Sequence, residues 1–126
     1  MKPRLLIIDD DPLVAKSIRR GLKSEWDVVV IDKAREAVEA LARGDAFDAI
    51  LCDLVMPGMS GMDAYDAIVQ ANPGLASRIV FMTGGTKLPG ARAFLDRVTN
   101  ARLDKPFAMN DLRAALSRVL SGATAG

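Results

Sequence analysis

The chain has 126 residues, of which 50% are hydrophobic and 26% are charged. It is therefore long enough for one domain with a real core, and its composition is neither that of a disordered chain nor that of a membrane protein. The net charge of +1 is spread along the chain, which gives no reason to expect nucleic acid or an anionic membrane as a partner. Histidine is absent and cysteine occurs once, which excludes histidine-based acid–base catalysis, an internal disulfide and most zinc sites.

Short apolar runs predict five β-strands. The first four runs are almost continuously apolar, which is typical of strands buried on both faces of a sheet. The fifth run is the weakest. The predicted strands cover residues 4–8, 27–31, 48–52, 78–82 and 101–104.

Between these runs, apolar residues recur at helical spacing and predict five helices. Pro12 opens the first helix, and we expect Asp11 to cap it. Asn110 is a candidate N-cap for the fifth helix. The other three patterns cover about residues 34–41, 61–71 and 90–98.

Regular alternation of strands and helices predicts an α/β fold. Right-handed crossovers between the strands give a parallel, doubly wound sheet with helices on both faces. Ligands of such sheets bind at the carboxyl edge, where the strand order reverses. Five polar residues lie at or just after predicted strand ends, and we expect them to converge at this edge: Asp9, Asp10, Asp53, Thr83 and Lys105.

The chemistry of these five residues favours phosphoryl transfer. Neighbouring carboxylates repel each other unless their pKa values shift or a cation binds. Mg²⁺ is the natural candidate, because it prefers hard oxygen ligands. Lys105 supplies a positive charge and Thr83 a hydroxyl for a phosphoryl oxygen, and an aspartate can act as the nucleophile.

Four motifs carry a resemblance to a known family. They are "IIDDDP" with Asp9 and Asp10, "LCDLVMPGMSG" with Asp53, "FMTGGT" with Thr83, and "LDKPF" with Lys105, at intervals of 44, 30 and 22 residues. In order and spacing, the chain resembles a response-regulator receiver domain over residues 3–120.

The resemblance implies a fold, a site and partners. It implies a flavodoxin-like, five-stranded sheet of order 2-1-3-4-5 with five helices, and a cis peptide between Lys105 and Pro106. It makes Asp53 the phosphoacceptor, assisted by Thr83 and Lys105. Mg²⁺ would be bound by Asp9, Asp10, Asp53 and the backbone carbonyl of Val55.

The implied function is that of a switch with weak self-phosphorylation and self-dephosphorylation, and not of an enzyme. The phosphoryl group would come from a histidine kinase or a histidine phosphotransfer domain. A downstream protein would bind the face between the fourth and fifth helices, where Arg92, Arg97 and Arg102 are candidate contacts. We expect no direct nucleic-acid or membrane partner, and a weak homodimer is left open.

Two features depart from the family's usual pattern. Arg102 occupies the position three before Lys105, where an aromatic switch residue is common. Val55 and Gly85 occupy the positions two after Asp53 and two after Thr83, and neither side chain can hold a hydrolytic water. We therefore predict slow self-dephosphorylation. The segment from the threonine to "RLDKPF" also resembles receiver modules of hybrid sensor histidine kinases.

Two other functions are alternatives. The Asp-x-Asp within "DDDP" is also found in haloacid-dehalogenase-type phosphohydrolases, with Asp9 as the nucleophile. Against this, Pro12 and Leu13 replace that family's usual context, and no acidic motif follows Lys105. The second alternative is a receiver that binds its partner without ever being phosphorylated.

The remaining expectations concern the domain limits and location. We expect one domain over residues 1–121 and a flexible tail or linker stump over residues 122–126, whose composition is small and polar. The apolar runs are too short to span a membrane, and no signal peptide is recognisable, so we expect a cytoplasmic location. We expect Cys52 to be a buried packing residue.

Overall fold

A computed structural model describes residues 2–84 and 88–122. In that part of the chain, five strands and five helices alternate. The strands are β1 (Arg4–Ile8), β2 (Asp27–Ile31), β3 (Ala49–Asp53), β4 (Ile79–Thr83) and β5 (Arg102–Asp104). The helices are α1 (Pro12–Leu22), α2 (Ala34–Ala42), α3 (Gly61–Ala71), α4 (Ala91–Arg97) and α5 (Met109–Ser121).

The five strands form one sheet of order β2-β1-β3-β4-β5. Every neighbouring pair is parallel, so the predicted doubly wound α/β fold is confirmed. The strand order reverses between β1 and β3, which makes the carboxyl ends of these two strands the expected binding position.

The sheet separates two apolar layers, because successive side chains of a strand point to opposite faces. Leu6, Ile50 and Phe81 face the layer that α2, α3 and α4 cover. Leu5 and Leu51 face the layer that α1 and α5 cover. Parallel strands buried on both faces need such continuous apolar runs, which is why the strand signal in the sequence is strong.

β2 is less buried than its apolar sequence predicts. Its last four residues are only half-buried, because the strand lies at the edge of the sheet and pairs with β1 alone. The expectation of burial on both faces is therefore wrong for this strand.

The helix ends follow the predicted chemistry at α1 but not at α5. The Asp11 side chain accepts a hydrogen bond of 2.9 Å from the N–H of Leu13, and Pro12 is the first helical residue, which confirms the predicted cap. α5 begins one residue before Asn110, and Ala108 occupies its N-cap position without a side-chain hydrogen bond. The prediction of Asn110 as the cap is wrong.

The turn predicted at Asn72 opens a 3-10 helix, Pro73–Arg78. The Asn72 side chain accepts a hydrogen bond of 3.2 Å from the N–H of Gly74, which is the usual action of asparagine at a turn. Residues 123–126 of the predicted tail lie outside the described residues. None of the helices in the described ranges combines the length and the apolar character that crossing a bilayer requires.

Candidate functional site

The register of the sheet places the first acidic residue beside the central one. Ile8 of β1 pairs with Cys52 of β3, so the residues that follow them, Asp9 and Asp53, lie side by side at the carboxyl edge of the sheet. Asp53 is the last residue of β3. The predicted convergence at the carboxyl edge therefore results from the pairing of two buried strands.

The carboxylates of Asp9, Asp10 and Asp53 form one cluster. One oxygen from each lies within 4.8 Å of the others. Asp9 and Asp53 are buried, with exposed fractions of 1% and 6%, whereas Asp10 is exposed. The cluster is thus built from two groups that have lost most of their water and one that borders the solvent.

Lys105 connects the two buried carboxylates. Its Nζ lies 3.0 Å from Oδ2 of Asp53 and 3.2 Å from Oδ2 of Asp9. The residue follows β5, and the peptide bond between Lys105 and Pro106 is cis, as the resemblance implies. A buried carboxylate needs such a partner to stay ionised.

Backbone N–H groups bind the remaining oxygens of the same two carboxylates. The N–H of Asp11 donates to Oδ1 of Asp9 at 2.9 Å, and the N–H of Val55 donates to Oδ1 of Asp53 at 3.2 Å. Each buried carboxylate therefore accepts one hydrogen bond from the backbone and one from the ammonium of Lys105. These contacts fix the orientation of both side chains.

Burial and charge shift two pKa values in the cluster. Burial raises the pKa of the Asp9 carboxyl, and the Asp53 charge adds to this rise, although the Asp11 N–H and Lys105 oppose it. Burial alone would lower the pKa of Lys105, but its hydrogen bond to Asp53 and the charges of Asp53 and Asp9 raise it overall. Without a cation, the cluster is thus short of positive charge.

The donor set fits a divalent cation with a preference for oxygen. Three carboxylates and one ammonium leave two negative charges unbalanced. Mg²⁺ supplies two positive charges, accepts carboxylate oxygens and retains several waters, which the exposed side of Asp10 would admit. The residues present therefore fit the predicted cation.

Thr83 is oriented differently from the other predicted site residues. It is the last residue of β4 and is 3% exposed. Its hydroxyl donates a hydrogen bond of 2.6 Å to Oδ1 of Asp104 on β5. The structure thus brings Asp9, Asp10, Asp53 and Lys105 together, and pairs the Thr83 hydroxyl with a fourth carboxylate, that of Asp104, instead.

The sequence prediction missed Asp104. Thr83 and Asp104 are register partners in the parallel pair of β4 and β5. The residue directly precedes Lys105 in the motif "LDKPF", and it lies beside the threonine because β4 and β5 pair in this register.

The backbone of Gly61 is in close contact with the backbone of Asp53 and Leu54. Gly61, the first residue of α3, donates its N–H to the carbonyl of Leu54 at 2.9 Å. A Cβ atom at position 61 would overlap the carbonyl oxygen of Asp53 and would lie 2.7 Å from the Cα of Leu54. Only glycine allows α3 to begin this close to the end of β3.

The other residues singled out in the sequence have mixed outcomes. Cys52 is a free, buried residue of β3, as expected, and burial raises the pKa of its thiol. The Val55 side chain is 50% exposed, and Arg102 is exposed on β5. Gly85, named for its effect on dephosphorylation, lies outside the described residues.

Comparison with known proteins agrees with this geometry. Residues 5–117 match the family "Response regulator receiver domain". The response regulator protein PmrA of Pseudomonas aeruginosa is 32% identical over 123 residues, which cover 98% of this chain and 54% of that protein. The response regulator MprA of Mycolicibacterium vanbaalenii is 30% identical over 125 residues, covering 98% of this chain and 53% of that protein.

A solved structure resembles this fold. The receiver domain of sensor histidine kinase PA1611 from Pseudomonas aeruginosa superposes with a TM-score of 0.84 and 25% identity, covering 96% of this chain and 99% of that one. That domain has a magnesium ion coordinated in its active site cleft.

The fold and the site define a flavodoxin-like α/β domain with an acidic, lysine-bridged cleft at the carboxyl edge of its sheet. The chain belongs to the response regulator receiver domain family of two-component systems. The chain spans about half the length of the curated relatives it matches.

Proposed function

We propose that the chain is a phosphoacceptor whose Asp53 receives a phosphoryl group from the phosphohistidine of a histidine kinase or a histidine phosphotransfer domain. One observation carries this proposal. The Asp53 carboxylate lies in a cluster with Asp9 and Asp10, and the Lys105 ammonium is 3.0 Å from one of its oxygens. Nucleophile, counter-charge and cation ligands are thus within a few ångströms of one another.

The residues would act as follows during the transfer. A carboxylate oxygen of Asp53 forms a bond to phosphorus, and the bond from phosphorus to the donor imidazole nitrogen breaks, leaving its electron pair on that nitrogen. Lys105 neutralises charge on the phosphoryl oxygens, and the Thr83 hydroxyl donates to one of them. Mg²⁺, held by Asp9, Asp10, Asp53 and the Val55 carbonyl, would neutralise the charge that develops on the phosphoryl group.

Phosphorylation would then act as a switch. A phosphoryl group carries more negative charge than the carboxylate it replaces, and Lys105 and Thr83 are the groups that respond to this change. We infer that the response alters the face between α4 and α5, to which a downstream protein binds. The chain would be a cytoplasmic switch with weak self-phosphorylation and self-dephosphorylation, with no direct nucleic-acid or membrane partner.

The phosphohydrolase alternative loses its support, since the family match extends over residues 5–117. It would use Asp9 as the nucleophile, and it predicts little effect of Asp53→Asn in the following test. The alternative of a binding module that is never phosphorylated is an outcome of the following test.

The test is labelling of Asp53. The wild type, Asp53→Asn and Asp63→Asn are each incubated with acetyl phosphate and Mg²⁺, and the added mass is measured on the intact proteins. Asp63, an exposed carboxylate in the first turn of α3, is the matched control. We expect labelling of the wild type and the control and none of Asp53→Asn. Equal labelling of all three proteins contradicts the proposal, and an unlabelled wild type supports the non-phosphorylated module.

A further inference from the structure

The hydrogen bond between Thr83 and Asp104 is a strong one at a functionally important position. The donor is a buried hydroxyl, the acceptor is a carboxylate, and the oxygens are 2.6 Å apart. Hydrogen bonds of a hydroxyl to an ionised oxygen at this distance are roughly twice as strong as neutral ones. The pairing is also fixed by the sheet, because Thr83 and Asp104 are register partners at the ends of β4 and β5.

A threonine hydroxyl has only one proton to donate. In the structure this proton goes to Asp104, whereas the proposed function needs it for an oxygen of the phosphoryl group on Asp53. The two anions therefore compete for one donor. We propose that Asp104 is a positioning residue that holds the Thr83 hydroxyl in the unphosphorylated state and so opposes activation, an inference that rests on the proposed function.

Two arginines near Asp104 are candidate partners for its carboxylate when the Thr83 hydroxyl turns to the phosphoryl group. Thr83 and Asp104 line a cavity of about 320 Å³ together with Arg92 of α4 and Arg102 of β5. Two arginines therefore border the same space as the carboxylate. Loss of the threonine bond would let Asp104 pair with one of them, which would couple the phosphoryl group to the surface formed by α4 and β5.

This arrangement suits a receiver with an arginine at position 102. Arg102 occupies the position where an aromatic switch residue is common, and it carries a charge that Asp104 can bind. In this chain, the change at the α4 and β5 surface would be an exchange of partners among charged and polar groups. The two states are the one in which the Thr83 hydroxyl binds Asp104 and the one in which it binds the phosphoryl group. Phosphorylation favours the second state only by the difference between its interactions with the two.

The test is a double-mutant cycle on the binding of beryllofluoride, which imitates the phosphoryl group. The wild type, Asp104→Ala, Thr83→Val and the double variant are titrated with beryllofluoride in Mg²⁺ by calorimetry. Removing the competitor frees the hydroxyl, so we expect Asp104→Ala to bind about tenfold more tightly than the wild type. Because Asp104 acts through the hydroxyl, its removal should change nothing when Thr83 is already valine.

Two variants separate this mechanism from a general charge effect. Asp96 of α4 lines the same cavity, so Asp96→Ala removes a nearby negative charge while the Thr83 bond stays, and we expect an affinity within about twofold of the wild type. Asp104→Asn retains a weaker, neutral acceptor, and we expect a gain smaller than that of Asp104→Ala.

The outcomes distinguish this inference from the function on which it rests. If the wild type binds beryllofluoride and Asp104→Ala binds it no more tightly, only the role of Asp104 is overturned. The same holds if Asp104→Ala gives an equal gain in the Thr83→Val background. If the wild type binds no beryllofluoride, the proposed function is overturned, and the role of Asp104 with it.

Discussion

At the scale of single residues, the site is a balance of charge that is incomplete without a cation. The excess negative charge affects Asp9 most, because this carboxylate is buried and lies beside that of Asp53. Lys105 compensates for only part of the negative charge of the cluster. The balance can therefore be tested by pH and by substitution of one carboxylate.

The stability of the metal-free protein should depend on the protonation of Asp9. The pKa of Asp9 is raised above its usual value of 3.8, so the folded state holds this proton more tightly than the unfolded state. The contribution of Asp9 is thus fully present below that usual value and is lost as pH rises through the raised pKa. Asp9→Asn cannot lose a proton, so we expect its free energy of unfolding to rise relative to that of the wild type as the pH goes from acidic to neutral.

Urea unfolding of the metal-free wild type and Asp9→Asn, at several pH values, measures this difference. Asp10→Asn is the control, because Asp10 is exposed and its carboxylate loses little hydration on folding. A difference between Asp9→Asn and the wild type that stays constant with pH would show that the burial of Asp9 has no such effect.

Val55 should make the phosphorylated state long-lived. Its side chain is apolar and half-exposed beside Asp53, so it cannot orient a water for attack on the phosphoryl group. We expect the acyl phosphate of the wild type to persist for minutes or longer in Mg²⁺, and Val55→Asn to shorten its lifetime severalfold. Decay is followed by the mass of the intact protein.

Leu120→Asn is the matched control for Val55→Asn. Leu120 is apolar and 51% exposed, almost as much as Val55 at 50%, but it lies on α5. Its substitution should leave the lifetime unchanged. Loss of the phosphoryl group from the wild type within seconds would contradict the role of Val55.

At the scale of elements, the start of α3 is in close backbone contact with the end of β3, next to Asp53. Gly61 is the point of contact, since a Cβ atom there would overlap the Asp53 carbonyl. We expect Gly61→Ala to push α3 away from β3, to cost about 2–3 kcal/mol in the free energy of unfolding, and to weaken Mg²⁺ binding by displacing Asp53.

Chemical unfolding and Mg²⁺ titration test this expectation. Gly74→Ala is the control, because a Cβ atom at position 74 meets only the Asn72 side chain at 3.3 Å in a segment far from the site in sequence. Its cost should be smaller, and its Mg²⁺ affinity should equal that of the wild type. A Gly61→Ala protein with normal stability and affinity would show that α3 does not position Asp53.

The elements were predictable from the sequence to within a residue or two. Buried parallel strands give continuous apolar runs, and helices give a regular spacing, so both signals are local. The half-burial of β2 was not predictable from its own residues, because the position of a strand within a sheet depends on the other strands. The N-cap of α5 was predicted wrongly, because Ala108 occupies this position without the side-chain hydrogen bond that Asn110 was expected to supply.

The sequence predicted which residues meet at the site but not all of the hydrogen bonds between them. Residues at the ends of parallel strands must meet at one edge, which brought Asp9, Asp53 and Lys105 together as expected. The partner of the Thr83 hydroxyl was not predicted, because it depends on the pairing of β4 with the short, weakly predicted β5 and on a side-chain orientation. Local sequence signals contain neither of these.

At the scale of the whole molecule, cation binding and folding should be linked. The candidate ligands come from the ends of β1 and β3, so the folded chain should bind Mg²⁺ far better than the unfolded chain. At a Mg²⁺ concentration ten times the dissociation constant, we expect a gain of about 1.4 kcal/mol and a rise in Tm of about 5 °C.

Thermal unfolding of the wild type, Asp53→Asn and Asp63→Asn over a range of Mg²⁺ concentrations measures this linkage. Asp63 is not one of the clustered carboxylates, so Mg²⁺ should raise the Tm of Asp63→Asn as much as that of the wild type. It should raise the Tm of Asp53→Asn less. Equal rises in Tm for all three proteins would indicate a general effect of salt and would contradict binding at the cluster.

The bridge from Lys105 to Asp9 and Asp53 also bears on how the protein is made. The ammonium comes from a point 52 residues after Asp53 in the chain. A nascent chain that has reached only β4 carries all three carboxylates and lacks the lysine that offsets them. The last strand and helix therefore supply counter-charge as well as apolar cover, and an N-terminal fragment that stops before them should fold poorly at neutral pH and improve on acidification.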